Sequence, residues 1–280
     1  MRYTDLANES YRLFQNADIP GITYEKKSCG DDIIIEKIEI TDDDAAQKIG
    51  KNKGRYISIN SEYAQNRDIA HHRRLGRALG EQIRGLLPPD GELTMVVGLG
   101  NRAMTPDALG PKTLEKIMVT KHLKEMFPHL TDERLSAVCT FLPSVLGLTG
   151  IESADSVQAV CRAVKPSCVI AVDSLAAAEA CRINDTIQLS DTGIAPGAGV
   201  GNRRRGLNRQ TLGVPVLAVG IPVVVRLGEL TAEDGEYRDM IVTPKNIDSI
   251  INDCSGIIAC GINTALHRNI TAEEIADFMY

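Results

Sequence analysis

Residues 98–111 read Gly98-Leu-Gly-Asn-Arg-Ala-Met-Thr-Pro-Asp-Ala-Leu-Gly-Pro111. They follow the apolar run Leu93 to Val97, which has the length and β-branched content of a buried strand. A strand followed by a glycine-rich turn and a helix start is typical of open α/β sheets, which place functional groups at the carboxyl ends of their strands. We therefore expect Asp107 near such a strand end.

Two further acids follow apolar runs in the same way. Asp173 comes directly after Cys168-Val-Ile-Ala-Val172, and Asp191 follows the run from Thr186 to Leu189. Carboxylates at the ends of neighbouring strands can serve in acid/base hydrolysis. We take Asp107 and Asp173 as candidate catalytic residues. The candidate substrate-binding or supporting residues are Asn101, Asp191, Gly193, Gly199 and Asn202.

The remaining patterns alternate strands with helices. Residues 32–40 and 55–59 alternate apolar and polar side chains and predict a β-hairpin, joined by turns at 42–44 and 50–54. Helical spacing predicts helices over 69–87, 106–127 and 153–164, and a last helix from Pro244 with Thr243 as its cap. A long strand is predicted over 214–225. This order predicts a three-layer α/β/α fold with a mostly parallel, twisted sheet.

Composition excludes several classes of protein. The formal net charge of −6 argues against nucleic-acid binding by the whole surface, although Arg203, Arg204, Arg205 and Arg209 form a local basic cluster. Seven scattered cysteines without a Cys-x-x-Cys pair fit reduced thiols. The N-terminus lacks a signal-peptide pattern and no apolar stretch is long enough to span a membrane, so we expect a cytoplasmic protein.

Asp107 has two possible roles. Thr105-Pro-Asp107 has the form of a helix start, in which a carboxylate is stabilised in its ionised state by free amides and the helix dipole, and an isolated acid there is most often structural. Three acids at strand ends of one sheet favour a functional site instead. As a pair, Asp107 is then the expected ionised partner and Asp173, in a buried strand, the expected proton carrier.

Other motifs have weaker support. Gly98-Leu-Gly-Asn-Arg-Ala103 matches a degenerate dinucleotide fingerprint but lacks its distant acid, and Asp191-Thr-Gly193 occurs in aspartic proteases that are all-β. The turn from Gly197 to Asn202 lacks the ending of a phosphate loop. No histidine pair has ligand spacing and no nucleophile elbow is present, so we expect no metal and no cofactor.

Longer strings occur along the chain in this order: TDLA, GLGNRAMTPDALGP, VTKHL, GLTGIESAD, VIAVDSLAA, TIQLSDTGIAPGAGVGN, TLGVPVLAVGIPVVV, IVTPKNID and GINTALH. Their resemblance to the germination proteases of spore-forming Firmicutes covers nearly the whole chain. It implies an endopeptidase that degrades small acid-soluble DNA-protecting spore proteins in the forespore or spore core. It also implies a fold related to hydrogenase-maturation proteases, a homotetramer, and an atypical aspartic mechanism whose two acids match Asp107 and Asp173.

The resemblance further implies one peptidase domain over residues 1–280, with a hairpin and helix in 1–90 packed on a core in 91–280. The family's processing site matches Asp5 and Leu6, in a chain start that we expect to be exposed. The few residues ahead of Leu6 predict control by substrate access or subunit packing rather than by a bulky propeptide. Two departures stand out: Ala195 replaces the family's histidine, and residues 226–240 replace a longer segment.

Two alternatives remain open at this stage. The shared fold allows a maturation endopeptidase that recognises a metal in its substrate, although the missing histidine disfavours it. A catalytically idle sporulation protein that binds partners through the same surface is the other alternative, which the presence of both aspartates disfavours.

Overall fold

The computed structural model describes residues 4–14, 19–30, 32–61, 68–89, 91–129, 131–197, 201, 204–230, 237–267, 270 and 274. Its strands form one sheet. They are β1 Ile22–Cys29, β2 Ile33–Ile40, β3 Gly54–Asn60, β4 Leu93–Gly98, β5 Ala137–Phe141, β6 Cys168–Ala177, β7 Thr186–Ser190, β8 Val216–Arg226 and β9 Ile241–Val242.

The sheet is mixed, in the order β1-β2-β3-β7-β8-β6-β4-β5, with β9 paired to β8. The pairings β8–β6, β6–β4 and β4–β5 are parallel. The pairings β1–β2, β2–β3, β3–β7 and β7–β8 are antiparallel. The α/β fold is confirmed, but the expected mostly parallel sheet is wrong. The N-terminal hairpin does not lie apart from the sheet but extends it through β3 and β7, which adds an antiparallel half.

Helices cover both faces of this sheet. They are α1 Ala7–Arg12, α2 Asp43–Ile49, α3 Ile69–Leu86, α4 Leu109–Leu114, α5 Lys121–Met126, α6 Leu146–Thr149, α7 Ser153–Val164, α8 Arg209–Leu212, α9 Leu227–Leu230 and α10 Ile247–Leu266. On one face, α3, α4 and α10 bury the largest apolar cluster against alternate residues of the strands. On the other, α7 and α8 pack on β4 and β6, and α1 and α2 pack on β2 and β3. None of the described helices is long and apolar enough to cross a membrane.

Several predicted elements have different bounds. The helix predicted over 106–127 is a 3₁₀ turn at Thr105–Asp107 followed by α4 and α5. It breaks because Thr120 joins the edge of β5, where its hydroxyl accepts a bond from the Val138 amide. The buried Asn263 side chain bonds the backbone at residues 116 and 118, which compensates for the helical hydrogen bonds that the break removes.

Two other boundaries also differ. The link between β2 and β3 contains α2 rather than turns alone; Asp42 caps it by accepting a bond from the Ala45 amide. The last helix begins at Ile247, not at Pro244, and Thr243 does not cap it because its hydroxyl donates to the carbonyl of Val223 in β8.

Candidate active site

The loop after β4 holds Asp107 by contacts that require glycine. Gly100 has a φ of +107°, and a Cβ there would lie 2.0 Å from the Asp107 carbonyl oxygen. The Asn101 amide donates to both the carbonyl oxygen and Oδ2 of Asp107, at 3.0 and 2.8 Å. The glycine therefore allows the loop to close tightly on the carboxylate, and the Asn101 amide orients it.

Close packing then joins this loop to β6. A Cβ on Gly110, in α4, would lie 2.3 Å from the Leu99 carbonyl oxygen and 2.6 Å from the Val172 carbonyl oxygen. The Leu99 amide donates to that same Val172 oxygen at 2.8 Å. The loop that carries Asp107 is thus bonded to the residue immediately before Asp173.

Asp173 lies inside β6, not at its end as the sequence predicted, because β6 continues to Ala177. Strand β4, however, ends at Gly98 opposite Val172, so β6 passes beyond its parallel neighbour at Asp173. The side chain is only 4% exposed and accepts a bond from the Ser174 amide at 2.9 Å. Asp173 therefore lies at the carboxyl end of the shorter strand while remaining buried.

Asp107 and Asp173 line one cavity of about 570 Å³, together with Asn101 and Asp5. Burial raises the pKa of Asp173 well above its ordinary value, and the negative charges of Asp107 and Asp5 raise it further. Burial also raises the pKa of Asp107, although the bond from the Asn101 amide opposes this. The helix-start position was expected to favour an ionised Asp107, but the α-helix begins at Leu109 and burial raises the pKa of Asp107.

Asp5, near the start of the chain, lines the same cavity. The Asp5 amide donates to the Ala176 carbonyl oxygen at 2.9 Å, and the Ala176 amide donates to Asp5 Oδ2 at 2.8 Å. Leu6 is fully buried and packs on Leu175 and Ala177. The expectation of an exposed chain start is wrong at Leu6, because β6 offers an unpaired edge and an apolar surface beyond Val172.

The other predicted supporting residues differ in whether they line this cavity. Asn101 lines the cavity. Asp191 does not, because its two carboxylate oxygens accept bonds from the Arg55 amide and Arg55 Nε, each at 2.7 Å. Gly193 shapes the turn after β7: its φ is +77° and a Cβ would lie 2.0 Å from the Leu207 carbonyl oxygen. Gly199 and Asn202 lie outside the described residues.

Sequence reasoning missed two polar residues near the chain start. Lys51 follows the end of α2, and Gln188 is buried in the middle of β7; both contact Asp5. For Gln188, the available sequence signal was a polar amide side chain inside the apolar run Thr186-Ile-Gln-Leu189. Within the described part of the chain, no group of three or more histidine, cysteine or acidic side chains is arranged to hold a metal ion.

The basic cluster noted in the sequence is partly neutralised. Arg204 pairs with Glu152 at 3.4 Å and Arg205 pairs with Asp155, and both arginines line the cavity.

Comparison with known proteins defines the class. The family model described as germination protease, peptidase A25, matches residues 4–238 and 235–279, so the protein is a peptidase. Germination protease of Clostridium perfringens is 34% identical over 319 aligned positions that cover 99% of this chain and 98% of that protein. Those of Clostridium tetani and Priestia megaterium are 35% and 32% identical, each over 99% of this chain and over 98% and 94% of their own lengths. The chain belongs to the germination protease family.

The alignments are longer than this chain of 280 residues, so these relatives carry insertions relative to it. Among solved structures, the NiFe hydrogenase maturation protease HycI from Thermococcus kodakarensis is similar, with a TM-score of 0.36 and 16% identity over 65% of this chain and 98% of that one.

Proposed function

We propose that this protein is an endopeptidase that initiates the degradation of small acid-soluble, DNA-protecting spore proteins during germination. It acts in the cytoplasm of the forespore or in the spore core, as a homotetramer, by activating water on an aspartate pair. Family membership supports the substrate class. The observation that supports the mechanism is that Asp107 and Asp173 line one cavity and differ in environment.

The two carboxyl groups take opposite roles in this mechanism. Asp107, the more accessible acid, is ionised and accepts a proton from the attacking water. Asp173, buried beside two other acids, is protonated and donates its proton to the leaving amine nitrogen as the C–N bond breaks. The pair titrates as a coupled unit, so one proton is shared over the working pH range.

The same site processes the chain itself between Asp5 and Leu6. Two observations support this proposal. Asp5 lines the cavity with both proposed catalytic acids, and the backbone of Ala176 in β6 binds it twice, accepting from the Asp5 amide and donating to Asp5 Oδ2. Cleavage there would remove the Asp5 side chain from the cavity. In this proposal, even a short segment at the chain start therefore blocks access to the cavity until it is cleaved.

Incubation of the purified protein with a small acid-soluble spore protein tests the proposal. We expect cleavage into defined fragments, unchanged by a strong chelator. Activity that disappears with chelation and returns with zinc or nickel would instead indicate a metal-dependent maturation endopeptidase. Binding of the spore protein without cleavage would indicate a catalytically idle protein.

A further inference from the structure

Two side chains converge on one backbone oxygen at the start of the chain. The carbonyl oxygen of Asp5 accepts a bond from Lys51 Nζ at 2.9 Å and a second from Gln188 Nε2 at 2.8 Å. This carbonyl belongs to the Asp5–Leu6 peptide bond, which the proposed self-processing would cleave. A carbonyl oxygen held by one cationic and one amide donor has the environment of an oxyanion hole.

The fold fixes the direction of the Gln188 amide. Its Oε1 accepts a bond from the Ala7 amide at 2.7 Å, which leaves Nε2 directed at the Asp5 oxygen. Gln188 is opposite Gly220 in β8, and Gly220 is in turn opposite Asp173 in β6, so Gln188 and Asp173 share one face of the sheet. Gly220, between them, makes room for the side chain of Leu175, because a Cβ there would lie 2.6 Å from Leu175 Cγ.

Lys51 approaches from the end of α2. Gly50 ends that helix in the left-handed conformation, with a φ of 68°, and turns the chain toward the site. Lys51 Nζ also donates to the Thr4 carbonyl oxygen at 2.9 Å, so it contacts the backbone rather than an acid side chain. Burial lowers the pKa of this ammonium, while Asp5 and Glu9 oppose the shift.

Asp5 also connects two cavities. It lines the cavity that contains Asp107 and Asp173, and it lines a second cavity that contains Lys51, Gln188 and Gly220. The catalytic acids and the two donors therefore lie around the same residue. This arrangement brings the acids proposed for water activation and the two donors to the oxygen into the two cavities that Asp5 lines.

We infer that Lys51 and Gln188 stabilise the negatively charged oxygen of the tetrahedral intermediate during peptide hydrolysis. The inference rests on the proposed function, because it takes Asp5–Leu6 as a cleaved bond. Water oxygen bonds to the carbonyl carbon while its proton moves to Asp107. The carbonyl electron pair moves to the oxygen beside Lys51 and Gln188. When this pair re-forms the carbonyl, the C–N bond breaks and the amine nitrogen takes the proton of Asp173.

The test compares three full-length variants with the wild type on a small acid-soluble spore protein. Lys51→Met removes the cation at similar length, and Gln188→Glu keeps the acceptor for the Ala7 amide but removes the donor. Lys53→Met is the matched control, because Lys53 is an exposed lysine paired with Asp43 at 2.8 Å. We expect kcat to fall by about 10² to 10³ in the first two variants with KM nearly unchanged, and the control to match the wild type.

A purely tethering role predicts a different result. If Lys51 and Gln188 only hold the chain start in the cleft, their loss would free the cleft, and kcat on the added substrate would stay level or rise. That result, in variants with wild-type melting temperatures, would overturn the inference. Inclusion of Asp107→Asn separates the two proposals: if it retains turnover while Lys51→Met loses it, the acid pair is wrong and the oxygen site stands.

A binding measurement covers the case in which no turnover is seen. The probe is a peptide with the sequence of residues 1–12 in which a hydrating difluoroketone replaces the Asp–Leu amide, compared with the unmodified peptide. We expect the wild type to bind the hydrate at least about 10²-fold more tightly than the amide, and Lys51→Met to lose this preference. Equal preference in wild type and Lys51→Met would overturn the inference.

Discussion

Replacement of Gly100 by alanine should displace Asp107, the proposed catalytic base, because the new Cβ would press on its backbone and its carboxylate. The new Cβ would lie 2.0 Å from the Asp107 carbonyl oxygen, about 1.4 Å short of the 3.4 Å at which ordinary contact begins, and 2.9 Å from Asp107 Oδ1. The φ of +107° adds about 1–3 kcal/mol of backbone strain for any residue with a Cβ. The loop must therefore move Asp107 by roughly 1 Å, and a misplacement of this size costs about 10² in rate.

The assay is kcat/KM for hydrolysis of a small acid-soluble spore protein, with the melting temperature measured on the same preparation. Gly85→Ala is the matched control, because Gly85 lies in α3 and a Cβ there meets no atom within 4 Å. We expect the control to keep full activity and to gain about 0.5–1 kcal/mol of stability. A folded Gly100→Ala protein with kcat/KM within twofold of wild type would refute the account of how the loop holds Asp107.

Three further predictions follow from the site. The pH dependence of kcat/KM should be bell-shaped, because activity falls at low pH as Asp107 is protonated and at high pH as Asp173 loses its proton. Both falls should lie above pH 3.8, because burial raises the pKa values of both acids. A profile that lacks either fall would contradict the roles assigned to the two aspartates. Asp173→Asn should raise the free energy of unfolding, at a pH above the raised pKa of Asp173, by about 1.4 kcal/mol for each unit of that rise, because the folded state binds the extra proton and the wild type loses stability as pH rises above 3.8. In urea unfolding at several pH values, a gain that did not grow as pH rises above 3.8 would show that the pKa of Asp173 is not raised. Concentrated wild-type protein at mildly acidic pH should lose residues 1–5 by intact mass, and an intact chain with full activity would contradict self-processing.

Much of the fold could be predicted because the core strands contain short apolar runs, although β6 continues past its run to Ala177. The helix over 153–164 has the predicted bounds. The antiparallel half could not be predicted from the hairpin alone, because the pairing of β3 with β7 depends on residues far apart in the chain. The broken helix after Asp107 also depends on distant groups, since Asn263 in α10 bonds the backbone at the break.

The candidate site could be predicted in part for the same reason. Asp107 follows a recognisable strand, Asp173 follows the apolar run that begins β6, and the two line one cavity. Asp191 follows a strand equally well, but the extra antiparallel neighbour β3 places Arg55 against its carboxylate. Lys51 lies in a turn that resembles any polar surface loop, so nothing local indicated its contact with Asp5.

The most direct test of the central claim is the rate of spore-protein hydrolysis by Asp107→Asn and Asp173→Asn beside the wild type. Asparagine keeps the volume of each side chain but cannot exchange the proton, so each variant should lose at least about 10² to 10⁴ in kcat while its melting curve shows a folded protein. Near wild-type turnover in either folded variant would contradict the aspartate-pair mechanism.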